Sequence, residues 1–212
     1  VKRIRIRGTT QMPKKDLGIL LAALAAGDSL GSTTEFTSRE EVIEIHDQHR
    51  GKGWPFAHVG GGYFNWKPGQ LTDDGETAAI MVRSYLHCDG FDPEDVAARL
   101  VKWAETDPKD VGTTTLMGIA RIKEGAPWYE GGLRDFQRRP MNASNGSLLR
   151  NGVIPGMAET LSDAYRFSLY QSIMTHYAPR PVLSCALHTY LIWKFLVNEN
   201  PCLLYTSDAA DE

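Results

Sequence analysis

The stretch 181–197, PVLSCALHTYLIWKFLV, narrows most sharply what this chain can fold into. It is apolar nearly all round, too long for an ordinary strand, and carries His188 and Lys194, which a bilayer core would penalise. A helix with apolar neighbours on most sides satisfies these constraints. The segment is therefore predicted to be the buried centre of a helical bundle.

The remaining sequence supplies those neighbours. Leu17, Leu20, Leu21 and Leu24 recur at helical spacing. Ser38-x-x-Glu41 is a capping box that opens a helix reaching about His49. Residues 76–88 set Ala78, Met81, Val82 and Tyr85 on one face. Asp92-Pro93-Glu94 reads as an N-cap, a proline at the first helical position and an acidic first turn, ahead of Val96, Leu100, Val101 and Ala104. Thr113–Lys123 continues the pattern, and Leu161, Ala164, Tyr165, Ser168, Leu169 and Ser172 form a further stripe. Two intervals, 50–71 and 125–158, read as long loops, which in a compact domain are most often functional. The fold class is all-α, in a single domain over 12–200, with 1–11 and 201–212 read as extensions foreign to it.

With 212 residues the chain can bury a substantial core. Its 23 basic and 26 acidic side chains leave a net charge of −3, so no global field favours nucleic acid. No membrane association is expected. Cys88, Cys185 and Cys202 are sparse, odd in number and not spaced as metal ligands, which points to a reducing, cytoplasmic setting. Lys2, Arg3, Arg5, Arg7, Lys14 and Lys15 ahead of the apolar run 18–26 imitate a secretory signal, and those residues alone leave signal and first helix evenly matched.

Several short motifs carry polar chemistry. Thr72-Asp73-Asp74 is a hard, all-oxygen set suited to Mg²⁺ or Mn²⁺, although Asp73-x-x-Glu76 is also a good capping box and by spacing alone the better reading. Gly27-Asp28-Ser29-Leu30-Gly31, followed by Glu35-Phe36, places small residues where a ligand or backbone could approach closely. Asp110-Val111-Gly112-Thr113 opens a helix with free N–H groups, and Ser144-Asn145-Gly146-Ser147 with Arg150 is a turn able to aim N–H groups at a phosphate. Thr175-His176 joins two helices, where a histidine most often serves only as a cap.

Taken in order, GDSLG-x3-Glu-Phe, Thr-Asp-Asp-x-Glu, Gly-x-Thr-Thr, Asn-Gly-Ser-x-x-Arg and Thr-His-x-x-Pro-Arg resemble the ADP-ribosylglycohydrolase family across about residues 16–200. The resemblance settles the first helix as part of the mature fold. It implies an orthogonal helical bundle that removes ADP-ribose from a protein side chain or a small-molecule acceptor. It also implies two Mg²⁺ or Mn²⁺ ions, with Thr72, Asp73 and Asp74 as ligands and Glu35, Asp73 and Asp74 as the catalytic set. Asp110, Gly112, Ser144, Asn145, Gly146, Ser147, Arg150 and His176 are the residues expected to bind substrate. The partner implied is an ADP-ribosylated protein or an ADP-ribose derivative.

Departures from the family pattern exist. Ser144, Leu149 and Gly75 stand where the family commonly has glycine, methionine and threonine, and its C-terminal Asp-x-Asp-Thr/Ser motif has no counterpart. The chain is accordingly expected to be C-terminally truncated, with half the metal site missing and little activity of its own. Two other readings compete: an ADP-ribose or nucleotide binder without turnover, and another helical metal-dependent phosphohydrolase, suggested by His46-Asp47.

Overall fold

The computed structural model describes residues 16–51 and 58–197, and the segments read as extensions, 1–11 and 201–212, lie outside them. Nine α-helices follow one another among the described residues: α1 Asp16–Gly31, α2 Arg39–His49, α3 Asp73–Cys88, α4 Pro93–Ala104, α5 Thr113–Lys123, α6 Leu133–Arg138, α7 Gly146–Leu149, α8 Leu161–Ile173 and α9 Pro179–Val197. No strand occurs among the described residues; an isolated antiparallel bridge joins Gly61 to Trp66. The all-α class is as the periodicity implied.

Local chemistry fixes the helix limits. At α2 the Ser38 N–H donates to Glu41 Oε2 at 2.6 Å while Ser38 Oγ accepts the Glu41 N–H at 3.2 Å, closing the capping box. At α4 Asp92 Oδ1 accepts from the N–H groups of Glu94 and Asp95, with Pro93 at the first position. The predicted faces of α3 and α4 are the buried ones: Ala78, Met81 and Val82 meet Val96 and Leu100 in one core with Leu17, Ile119 and Met174.

The centre of the bundle is not where the sequence placed it. Residues Arg150–Met157, within an interval read as loop, form a 3₁₀ helix in which every residue is buried, packed against α1, α3, α8 and α9. Two glycines make the fit: a Cβ on Gly156 would lie 3.0 Å from Leu17 Cα, and one on Gly152 would lie 3.2 Å from Leu24 Cδ1. A 3₁₀ segment carrying Gly and Pro has neither helical nor strand periodicity, so its burial leaves no trace in the pattern.

The 181–197 segment is helical but peripheral among the described residues. It buries Pro181, Cys185, Thr189 and Trp193, while Leu183, Leu187 and Leu191 are 66%, 60% and 40% exposed. Its buried stripe is partly polar because it meets the polar interior around Asn151, whose side-chain amide donates to the Cys185 carbonyl and the Thr189 hydroxyl. The rest of the 125–158 interval folds into a 3₁₀ turn at Trp128–Glu130 followed by α6 and α7.

No helix among the described residues is long and apolar enough to cross a membrane.

Candidate active site

One carboxylate joins the end of α1 to the start of α3. Asp28 Oδ2 accepts the N–H groups of Thr72 at 2.9 Å and Gly75 at 3.1 Å, and Oδ1 accepts the Thr72 hydroxyl at 2.5 Å. An anion at a helix start meets unsatisfied N–H groups and the positive end of the dipole. Thr72 is itself the N-cap, its hydroxyl accepting the Asp74 N–H at 3.3 Å. The capping box favoured by spacing is absent, because Glu76 Oε2 instead accepts the Trp103 indole N–H at 2.7 Å. The carboxylates of Asp73 and Asp74 are therefore not consumed as caps.

Gly75 follows from the same junction. A Cβ there would collide with Asp28 Oδ2 and press on Leu71, so any larger residue would have to displace both side chains. Gly27 and Gly31 behave differently: a Cβ on either would meet nothing within 4 Å, so among the described residues no backbone approaches closely there. What the GDSLG segment contributes is Asp28, which the sequence reading passed over.

Around this junction the carboxylates of Glu35, Asp73, Asp74 and Asp110 share one field. Burial, then Asp73, Asp28 and Glu35, push Asp74 up to about 8. Burial and Asp110 push Asp73 up to about 6, against the Gly112 N–H, which donates to its Oδ2 at 3.4 Å. Glu35 is raised by burial and then by Asp110, Asp73 and Asp28; Asp110 is raised by burial and Asp28. Partial burial of mutually repelling acids is costly unless a cation or proton balances them.

The 144–150 turn lies against the start of α5. The Asn145 carbonyl accepts the N–H groups of Leu148 and Leu149. A Cβ on Gly146 would lie 3.0 Å from Thr115 Oγ1 and 3.2 Å from His176 Cε1, so this turn, the first turn of α5 and His176 sit together. The Ser144 hydroxyl is buried without a hydrogen-bond partner among the described residues. His176 Nδ1 lies 2.7 Å from Thr175 Oγ1, which accepts from Arg150 Nη2 at 2.7 Å. The arrangement satisfying all three groups has the Thr175 hydroxyl donating to Nδ1, leaving an N–H on Nε2. Burial, and then Arg150, hold this imidazole neutral, down to about 3.

Two residues expected to bind substrate face the interior. The Ser147 hydroxyl accepts from Ser172 Oγ at 2.9 Å, and its carbonyl accepts from Gln171 Nε2 at 3.0 Å. Arg150 is 1% exposed and donates through Nε to Gln171 Oε1 and through Nη2 to the Gln171 carbonyl. These side chains hold the turn's backbone, and Arg150 adds a buried positive charge that lowers Asp73 and Asp74. The network of Gln171, Ser172 and Asn151 behind them was not visible in sequence, where α8 looked like an ordinary amphipathic stripe. His46 and Asp47 lie 3.5 Å apart on α2, a helix with no buried residue, and among the described residues no further metal-ligating side chains gather around them.

Residues 14–211 match the model of the ADP-ribosylglycohydrolase family. The chain belongs to that family. It is 34% identical over 176 residues to the ADP-ribosyl-[dinitrogen reductase] glycohydrolase of Rhodospirillum rubrum, an overlap covering 80% of this chain and 53% of that protein. It is 28% identical over 187 residues to the ADP-ribosylarginine hydrolase Tri1 of Serratia proteamaculans, covering 84% of this chain and 46% of the relative. The corresponding hydrolase of Pseudomonas putida is 30% identical over 197 residues, covering 87% and 48%. The chain thus spans about half the length of these ADP-ribosylglycohydrolase relatives.

Proposed function

We propose that the protein to which this chain belongs hydrolyses the glycosidic bond between ADP-ribose and a protein side chain, with a divalent cation at the α1–α3 junction. The observation that carries this reading is the shared electrostatic field of Glu35, Asp73, Asp74 and Asp110, all raised above ordinary carboxylate values, with the Gly112 N–H at the start of α5 donating to Asp73 Oδ2.

The donor set fits Mg²⁺ or Mn²⁺ in kind, since the Thr72 hydroxyl and the two aspartates are hard oxygen ligands. In number it is sparse: among the described residues no three His, Cys, Asp or Glu side chains converge as a cage. Such a cation would supply Lewis acidity and a fixed orientation for ribose hydroxyls and water. Asp28 holds Thr72 and the first turn of α3, so the two aspartates present a preset geometry. Glu35, raised and on the open side, carries the proton, accepting it from the attacking water and returning it to the departing acceptor nitrogen or oxygen. The Gly146 backbone and His176 Nε2 serve the diphosphate side as neutral donors, while the Gly112 N–H steadies Asp73.

The test is release of ADP-ribose from an ADP-ribosylated protein, with Mg²⁺ titrated by calorimetry. Glu35→Gln should abolish release while leaving ADP-ribose binding intact, whereas Asp73→Asn should weaken Mg²⁺ binding as well. The sparse ligand set favours a second reading, an ADP-ribose binder without turnover. Tight ADP-ribose binding by the unmodified protein with no release at saturating Mg²⁺ would establish it.

A further inference from the structure

Between α3 and α4 lies a cleft of about 580 Å³ that the proposed chemistry does not use. Glu76, Ala79, Ile80 and Arg83, at helical spacing on α3, form one side of it. Arg99, Lys102 and Trp103, at the same spacing on α4, form the other. None of Glu35, Asp73, Asp74 or Asp110 lines it, so it is a different place from the acidic junction. A space of this size is in the range that holds a small molecule.

The lining is divided by chemistry. Ile80 and Trp103 are buried and, with Ala79 and Leu71, give the cleft an apolar floor. Its charged groups are three cations and one carboxylate. That carboxylate, Glu76, accepts the Trp103 indole N–H and stands about 10 Å along the helix from Arg83. Arg99 is half-buried and ties its Nε to Asp95 Oδ2, which anchors the guanidinium and leaves its terminal nitrogens available. Arg83 and Lys102 are exposed and have no ion-pair partner among the described residues. Like charges gathered around one cavity repel, and an anion between them relieves that repulsion.

We propose that this cleft binds a small organic phosphate, with its phosphate on Arg83, Arg99 and Lys102 and its apolar or aromatic body on Ala79 and Ile80. Phosphate is favoured over carboxylate by charge. A dianion answers more than one cation, and guanidinium forks match its oxygens two at a time. The site does not depend on the hydrolysis proposed above, so either can fail alone.

Phenyl phosphate, inorganic phosphate and benzyl alcohol are titrated into the full chain. Binding is followed by calorimetry and by the Trp103 indole N–H resonance, assigned with Trp103→Phe. Phenyl phosphate should shift that resonance and bind at least about tenfold more tightly than inorganic phosphate or benzyl alcohol. Arg83→Gln and Lys102→Gln should each weaken it by about tenfold, with ADP-ribose affinity and the thermal midpoint unchanged. Ala79→Phe, which fills the floor, should remove the advantage of phenyl phosphate over inorganic phosphate. An unmoved Trp103 resonance, or an affinity indifferent to both cation variants, would place the phosphate elsewhere and overturn the proposal. So would equal binding of phenyl phosphate and inorganic phosphate, a loss shared by ADP-ribose, or a loss tracking a fall in the thermal midpoint.

Discussion

The Asp28 carboxylate accepts the Thr72 hydroxyl at 2.5 Å across 44 residues of sequence, and through that one side chain the end of α1 sets the start of α3. The same carboxylate takes two backbone N–H groups, so its role is to anchor the turn that carries Asp73 and Asp74. Asp28→Asn keeps the shape but turns one acceptor into a donor facing donors. Leaving such groups unpaired costs about 1–3 kcal/mol, and chemical denaturation should show a loss in that range. Catalysis and Mg²⁺ binding should fall with it, because the aspartates lose their fixed geometry. Unchanged stability would show that the junction is held elsewhere.

Removing charge from the cluster should have the opposite effect on folding. Asp74 is raised from 3.8 to about 8, so across that interval the folded state holds a proton that the unfolded state releases. The resulting destabilisation grows as pH rises from about 4 to 8. In chelating buffer Asp74→Asn should therefore raise the melting temperature at pH 8 by on the order of a few degrees, with the gain shrinking toward pH 4. Activity should be lost in the same variant, the usual exchange at a site built for function. A lower melting temperature at pH 8 would mean that a bound partner already balances the carboxylate.

How much of this was legible in sequence varied with the physics involved. The helices over Arg39–His49, Asp73–Cys88 and Pro93–Ala104 were readable because caps and apolar stripes are local and periodic. The acidic residues were readable only from their order along the chain, since Asp73-x-x-Glu76 taken alone spelled a cap that does not form. Trp103, 27 residues away from Glu76, decided that point, and no window of sequence contains the pair. The core position of Arg150–Met157 was hidden because its burial follows from the glycine gaps it threads. Segment 181–197 misled for the converse reason: apolar composition reports what a helix can bury, while Leu183, Leu187 and Leu191 remain exposed among the described residues. Asp28 was in plain view inside a glycine motif, but its partners begin 44 residues later.

His176 should make the fold acid-sensitive. The unfolded imidazole protonates near 6.5, whereas the folded one stays neutral down to about 3. Between those values the unfolded state binds the extra proton, so stability falls as pH falls through the window. His176→Gln can retain a hydrogen bond to Thr175 without titrating. Urea midpoints at pH 7.5 and pH 5 should fall less for the variant than for the unmodified chain; the carboxylates contribute equally to both and cancel from the comparison. Identical losses would remove His176 as the sensor.

The 144–150 turn should be needed more for ligand than for folding. Gly146 opens α7 with neighbours 3.0 and 3.2 Å from where its Cβ would be, at Thr115 Oγ1 and His176 Cε1. Both are side-chain atoms, able to yield by a few tenths of an ångström, so a small side chain is tolerated in the fold. A branched one projects further and displaces the imidazole whose Nε2–H is proposed to face the diphosphate. Gly146→Val should cost on the order of 1–2 kcal/mol in stability but weaken ADP-ribose binding by about a hundredfold, as expected when a charge-assisted contact is lost. Gly146→Ala should fall between the unmodified chain and Gly146→Val on the binding scale while staying near the unmodified chain in stability. The comparison is made by ADP-ribose titration and urea denaturation of the three proteins side by side. If the two losses, each expressed as free energy, rise in equal step from alanine to valine, the turn is a structural element only and the diphosphate lies elsewhere.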